Sequence, residues 1–185
     1  MLHYIPMFAL LVVGSSSLLR GVSVKRQTGQ RAWAFGSAKG WQRVVGIGFA
    51  LCAVTLVIAA AVAAQYQPPN QAAAILGAAL CVLGTLILVI AQIQMGRAWR
   101  VGIRPDDAPL LINAGLFRYS RNPIFLGMIF VAVGISMISG HWWSWLASIT
   151  FALTCNAQVK FEEAHLSQNF GKSYGAYRSK VRRWL

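Results

Sequence analysis

Acidic residues are almost missing from this sequence: in 185 residues only Asp106, Asp107, Glu162 and Glu163 carry a side-chain carboxylate. Charged residues of both signs reach 11% of the chain, far below the roughly one quarter usual in soluble domains, while hydrophobic residues make up 57%. Such a chain takes lipid as its main solvent. Histidine is scarce as well, with His3, His141 and His165 far apart, and Cys52, Cys81 and Cys155 each sit alone in an apolar stretch. Neither set has the spacing of a metal site, a disulfide framework or a histidine-based nucleophile triad. The cysteines read as small apolar packing residues.

The net charge of +13 raises nucleic acid as a partner, and the placement of the charges argues against it. All seventeen Lys and Arg fall in three blocks, Arg20 to Arg43, Arg97 to Arg121 and Lys160 to Arg183, and the four acids fall in the same blocks. Between the blocks run uncharged apolar stretches. This is the pattern of membrane spans joined by cytoplasmic loops. One membrane domain over 1–185 follows, all-α, with three spans in 1–95 and the polar clusters in 96–185.

The stretch Met1 to Leu19 lacks the order of a signal peptide, because its positive charges, Arg20, Lys25 and Arg26, follow the apolar run. It predicts a retained helix with its N-terminus outside. Val44 to Ala64 and Ala72 to Met95 are long enough to cross a core of ~30 Å at ~1.5 Å per residue, and the uncharged turn Gln65 to Gln71 between them belongs outside. The last apolar region, Ile124 to Ala157, breaks at Ser139-Gly140-His141 before Trp142, Trp143 and Trp145. Two short spans, the fourth and fifth, meeting at an outer aromatic belt are expected, and a re-entrant hairpin fits the charges equally well. Trp33, Trp41, Trp99 and Trp184 adjoin basic residues, as inner interfacial anchors do. From Lys160 to Leu185, Phe161, Leu166, Phe170, Tyr174, Tyr177 and Val181 recur at spacings of an amphipathic helix, or two, on the membrane or under the bundle.

Chemistry concentrates in two clusters. In Gly115 to Gly127, Asn122-Pro123 opens a helix, Asn as the cap and Pro at the first helical position. With Arg118 and Arg121 beside it, that helix start suits a carboxylate or phosphate; the arginines serve equally as topological anchors. The second cluster is Glu162-Glu163 just past the apolar region, either paired with Arg118 or Arg121, open to a cationic ligand, or solvated on the tail helix. Gln92 and Gln94 close the third span and point about 200° apart, so only one is expected to be well placed.

Gly96-Arg97-x-Trp99-Arg100, then Gly115-x-Phe117-Arg118-Tyr119-x-Arg121-Asn122-Pro123-x-Phe125-x-Gly127, then Glu162-Glu163-x-x-Leu166 with Phe170-Gly171-x-x-Tyr174-x-x-Tyr177, form an ordered set over roughly the last half of the chain. The set resembles the isoprenylcysteine carboxyl methyltransferase superfamily of integral membrane enzymes, which also takes in phospholipid and small-thiol methyltransferases. The resemblance implies an S-adenosyl-L-methionine pocket on the cytoplasmic side, made by an Arg-His-Pro-x-Tyr segment and a Glu-Glu pair. Carried over, these become Arg121, Asn122, Pro123 and Phe125, with Glu162 and Glu163. Asn122 stands where the family has His, and Phe125 where it has Tyr. Asn122 keeps hydrogen-bonding capacity, and Phe125 keeps the ring without the hydroxyl. Leu110, Leu111, Ile112 and Phe117 are implied as further cofactor contacts, with Arg118 and Tyr119 in the same segment.

The implied reaction is methyl transfer to a lipophilic or small acceptor arriving from the bilayer, in which positioning supplies much of the catalysis. Arg121 and Glu163 are the implied catalytic residues, Arg121 or Arg118 holding a carboxylate and a glutamate binding the cofactor's ribose hydroxyls or amino group. No metal and no nucleic acid enter. An NADPH-dependent membrane reductase of the sterol-reductase type resembles the same C-terminal half and is the rival, with a non-enzymatic membrane scaffold third.

Overall fold

The structure, a computed structural model, describes residues 1–29, 32, 40–100 and 110–185; Trp33, Asp106 and Asp107 lie outside them. The described residues form six α-helices and no strand: α1 Ile5–Thr28, α2 Gly40–Ala63, α3 Gln71–Met95, α4 Pro123–Ser139, α5 Trp142–Phe170 and α6 Lys172–Lys180. Three of them, counted with their flanking turns as Leu2–Thr28, Gly40–Ala63 and Gln71–Ala98, are long and apolar enough to cross a membrane, and α4 is a shorter apolar helix. α4 and α5 form the expected hairpin, with Gly140 turning at φ +67° against Pro69 of the α2–α3 connection.

The bundle has two chemically different ends. Leu2 and Ile5 pack on Ala63, Ala74, Ala78 and Ile138, which brings the N-terminus, the α2–α3 turn and the α4–α5 turn together at the uncharged end. At the other end Arg20 of α1 donates from Nε to the Gln92 carbonyl at 3.0 Å and from Nη2 to the Ile93 carbonyl at 2.8 Å. A cation there adds a partner to carbonyls of the last turn of α3, of which Ile93 also accepts from the Gly96 N–H, and meets the negative end of the helix dipole.

α3 and α4 run antiparallel and close together because glycines face each other at two levels seven residues apart, Gly77 with Gly134 and Gly84 with Gly127. Small residues let backbones approach where lipid offers no hydrophobic drive. Cys81, between those levels, donates a weak bond from Sγ to the Val131 carbonyl at 3.7 Å, and all three cysteines are buried packing residues. The hairpin is tied by a buried serine network: Ser136 Oγ donates to the Ser144 carbonyl at 2.8 Å and lies 2.7 Å from Ser148 Oγ, which donates to the Ala132 carbonyl at 2.8 Å.

Two expectations need correction. α5 does not end with the apolar stretch at Ala157: it continues unbroken past the glutamate pair to Phe170, and the tail breaks only at Gly171, φ +47°. No proline or glycine interrupts that run, so nothing in it stops helix propagation. Trp99 is also no interfacial anchor, being buried among Val24, Ala32, Met95 and Ile124. Trp41 is exposed as an anchor is.

Candidate active site

The site is built where α3, α4 and α5 end at the charged end of the bundle. Its first wall is the segment from Leu110 to Asn122. Gly115, at φ +61°, opens a short 3-10 turn, Gly115–Arg118, and has no room for a Cβ against the Gln94 side chain. Gln94 Oε1 accepts from the Leu116 N–H at 2.8 Å. On the opposite face of α3, Gln92 is buried and donates from Nε2 to Ser17 Oγ at 2.9 Å. Both glutamines are therefore well placed, one joining α3 to α1 and the other fixing the site loop, because the two faces they present have different polar neighbours.

Asn122 precedes Pro123, the first residue of α4, but its side chain makes no capping bond. Nδ2 donates instead to the Arg183 carbonyl at 3.1 Å, the Arg121 N–H donates to the Arg182 carbonyl at 3.0 Å, and Ser120 Oγ donates to the Arg183 carbonyl at 3.3 Å. The chain after α6 thus comes back to line up beside the start of α4. Tyr177 adds a bond from its hydroxyl to the Phe117 carbonyl at 2.6 Å. The expected Asn cap is corrected: a cap needs Oδ1 to accept from a first-turn N–H, whereas the side chain is held by the bond that its Nδ2 donates to the tail.

The adjacent glutamates on α5 face different surroundings. Glu163 is buried between two arginines: Arg183 forks onto it, Nε to Oε1 at 3.1 Å and Nη2 to Oε2 at 2.7 Å, and Arg121 Nη2 reaches Oε1 at 3.2 Å. Burial alone would raise this carboxyl, but the Arg183 bond and the charges of Arg121, Arg183 and Arg178 outweigh it and hold it below the usual range. Glu162, beyond the apolar part of α5, is pushed up to about 7 by burial, against a weak bond from Gln158 at 3.5 Å and the charge of Arg100. One carboxyl is held ionised, and its neighbour titrates near neutrality.

A cleft of about 110 Å³ opens between these elements, lined by Leu110, Leu111, Ile112, Phe117, Arg121, Asn122, Pro123, Phe125 and Glu162 among the residues expected from sequence. Glu163 is not in its lining but stands behind Arg121. Arg118 and Tyr119 are exposed on the outside of the turn, away from the cleft. Met95, Ile124, Leu166, Tyr174 and Tyr177 complete the lining. Leu166, Tyr174 and Tyr177 had a signal, their place in the third motif block, whereas Arg183 was one cation among six in the last basic block. Arg121 Nε and Nη1 and the Tyr174 hydroxyl are buried without a well-formed hydrogen bond among the described residues, although the Tyr174 hydroxyl is close enough to Arg121 to feel its charge.

Fold and site together define an integral membrane protein, all-helical in its described residues, with a largely apolar cleft at the charged end of its bundle into which Arg121, Asn122 and Glu162 bring polar groups. The chain belongs to the phospholipid methyltransferase family, whose pattern matches residues 72–173, from the start of α3 to the start of α6. It is similar to the protein-S-isoprenylcysteine O-methyltransferase of Schizosaccharomyces pombe, 32% identical over 108 residues that cover 55% of this chain and 44% of that protein. Similarity extends to a probable protein-S-isoprenylcysteine O-methyltransferase of Oryza sativa subsp. japonica, 28% identical over 111 residues, 57% of this chain and 56% of that one. The chain spans about half the length of these relatives. Its fold matches the structure of the eukaryotic intramembrane Ras methyltransferase, isoprenylcysteine carboxyl methyltransferase, with a TM-score of 0.60 at 16% identity, over 94% of this chain and 63% of the other.

Proposed function

We propose that the protein is an S-adenosyl-L-methionine-dependent methyltransferase that acts at the membrane on a lipophilic or small acceptor, with the cleft and the C-terminus on the cytoplasmic side and the N-terminus outside. The observation that carries this reading is the donor set of the cleft. Glu162 offers a carboxylate in apolar surroundings to a cation, while Arg121 brings two guanidinium nitrogens, Nε and Nη1, that lack a well-formed hydrogen bond among the described residues and suit an anion. A ligand with a sulfonium, an ammonium and a carboxylate matches both. NADPH, with several phosphate charges, would meet one arginine and one carboxylate in the described lining. The one-sided charge pattern supports the cytoplasmic placement.

When bound, the cofactor supplies an electrophilic methyl group. In this reading Arg121 holds the carboxylate, and Glu162 lies against the positive part of the ligand. Leu110, Leu111, Ile112 and Phe117 would exclude water from the bound cofactor, and Asn122 and Phe125 would shape the wall at the head of α4. Positioning of the acceptor in line with the methyl supplies the rate enhancement, since a thiolate or carboxylate acceptor needs no strong base. The test is a thermal-shift comparison of purified protein with S-adenosylmethionine and with NADPH, followed by transfer from methyl-labelled cofactor into lipid, protein and volatile fractions. Stabilisation by S-adenosylmethionine and label in one fraction are expected; stabilisation by NADPH alone overturns the reading in favour of a reductase.

A further inference from the structure

Glu163 is flanked by two guanidinium groups, and the three side chains together carry one uncompensated positive charge. Side-chain exposure is 8% for both Arg121 and Glu163 and 31% for Arg183. A buried excess charge is costly unless an anion meets it. The geometry says where that anion goes. Arg183 occupies both oxygens of Glu163 in a fork, so Arg121 is left with a single shared contact at 3.2 Å, and its Nε and Nη1, near the Tyr174 hydroxyl, have no well-formed hydrogen bond among the described residues. Only Arg121 of the two arginines lines the cleft.

We infer that Arg183 is a positioning residue: by taking the fork on Glu163 it keeps Arg121 from closing onto that carboxylate and leaves the Arg121 guanidinium free to bind the carboxylate of the cofactor. Without Arg183, Arg121 and Glu163 have the geometry and charge to form a neutral bidentate pair of their own. The guanidinium then turns away from the cleft. The tail's main chain works in the same direction, since the Arg182 and Arg183 carbonyls accept from Arg121 N–H, Ser120 Oγ and Asn122 Nδ2 and hold the fork beside the start of α4.

This inference rests on the methyltransferase reading, and the experiment separates the two. Binding of S-adenosylmethionine and of its decarboxylated analogue is measured by calorimetry on the full chain in nanodiscs, for wild type, Arg183→Gln and Arg183→Lys. Wild type is expected to prefer the carboxylate-bearing ligand by about tenfold or more, the worth of a charge-assisted bond. Arg183→Gln loses that preference while still binding the decarboxylated analogue as wild type does. Arg183→Lys, which keeps the charge but not the fork, retains part of the preference. A wild type that binds neither ligand overturns the methyltransferase reading itself. A wild type without preference, an Arg183→Gln that keeps it, or an Arg183→Gln that weakens both ligands equally overturns the positioning role.

Discussion

A Cβ built on Gly84 of α3 would lie 2.5 Å from the carbonyl oxygen of Gly127 on α4, and one built on Gly127 would lie 2.5 Å from that of Gly84. The obstacle on each side is backbone, which cannot rotate out of the way as a side chain does. α4 carries Asn122, Pro123 and Phe125 at its start, so any separation of the two helices also moves a wall of the cleft. Gly127→Ala is therefore expected to destabilise the protein by about 1–3 kcal/mol, the usual cost of overpacking, and to weaken cofactor binding. Gly14, in the middle of α1 with nothing within 4 Å of an added Cβ, is the control, and Gly14→Ala leaves the melting temperature unchanged or slightly higher. A Gly127→Ala protein as stable as Gly14→Ala would mean that α3 and α4 are not held at this separation.

Much of this architecture was legible in the sequence because the governing signals are local. Apolar length marked α2 and α3 to within a few residues, and Ser139-Gly140-His141 marked the hairpin turn. Motif order led to Arg121, Asn122, Phe125 and Glu162 in the cleft. What was not legible depends on partners distant in sequence. Nothing near Asn122 indicates that its amide serves Arg183, 61 positions away, instead of its own helix. Nor does the Glu162-Glu163 dipeptide say which carboxyl faces the cleft. Adjacent helical residues point about 100° apart, so Glu163 turns to Arg121 and Arg183 and Glu162 to the cleft. Arg118 and Tyr119 match the motif as well as Arg121 does, yet the 3-10 turn carries them outward.

The neighbouring glutamates respond to pH with opposite signs. Glu162 is raised from 4.5 to about 7 in the folded protein, so between those values the folded state binds the extra proton and stability falls as pH rises. Glu163 is lowered, so its contribution is complete above the ordinary carboxylate range and is lost as pH falls through its folded value. In melting curves of ligand-free protein, Glu162→Gln should remove the decline between about pH 4.5 and 7, and Glu163→Gln should remove the acid-side loss. A cationic ligand favours ionised Glu162, so S-adenosylmethionine affinity is expected to climb as pH rises through about 7. Affinity that stays flat from pH 5.5 to 8 in wild type would detach Glu162 from the cation.

Gln92 and Gln94 divide structure from site. Gln94→Ala removes the acceptor of the Leu116 N–H and loosens the turn that presents Phe117. A severalfold loss of cofactor affinity is expected, with a stability change near 1 kcal/mol or less, the net worth of one hydrogen bond. Gln92→Leu removes the bond to Ser17 between α3 and α1 at a residue outside the cleft lining, so affinity should stay at the wild-type value. Equal affinity losses in both variants would trace the effect to α3 as a whole and not to the turn.

The hairpin of α4 and α5 decides whether the protein crosses the membrane at its last two helices. With 17 residues, α4 spans about 26 Å at ~1.5 Å per residue, a little under a ~30 Å core, a mismatch that local thinning accommodates. Gly140 packs against Pro69 in the α2–α3 turn, so the hairpin tip reaches as far as a loop that joins two full-length spans. The native cysteines are all buried and give little background for thiol labelling. His141→Cys should therefore react with a membrane-impermeant maleimide added to intact cells, whereas Ser179→Cys, on α6 at the charged end, should react only after permeabilisation. If His141→Cys is protected in intact and permeabilised cells alike while a cysteine at Asn70 reacts, the tip ends inside the bilayer and the hairpin is re-entrant.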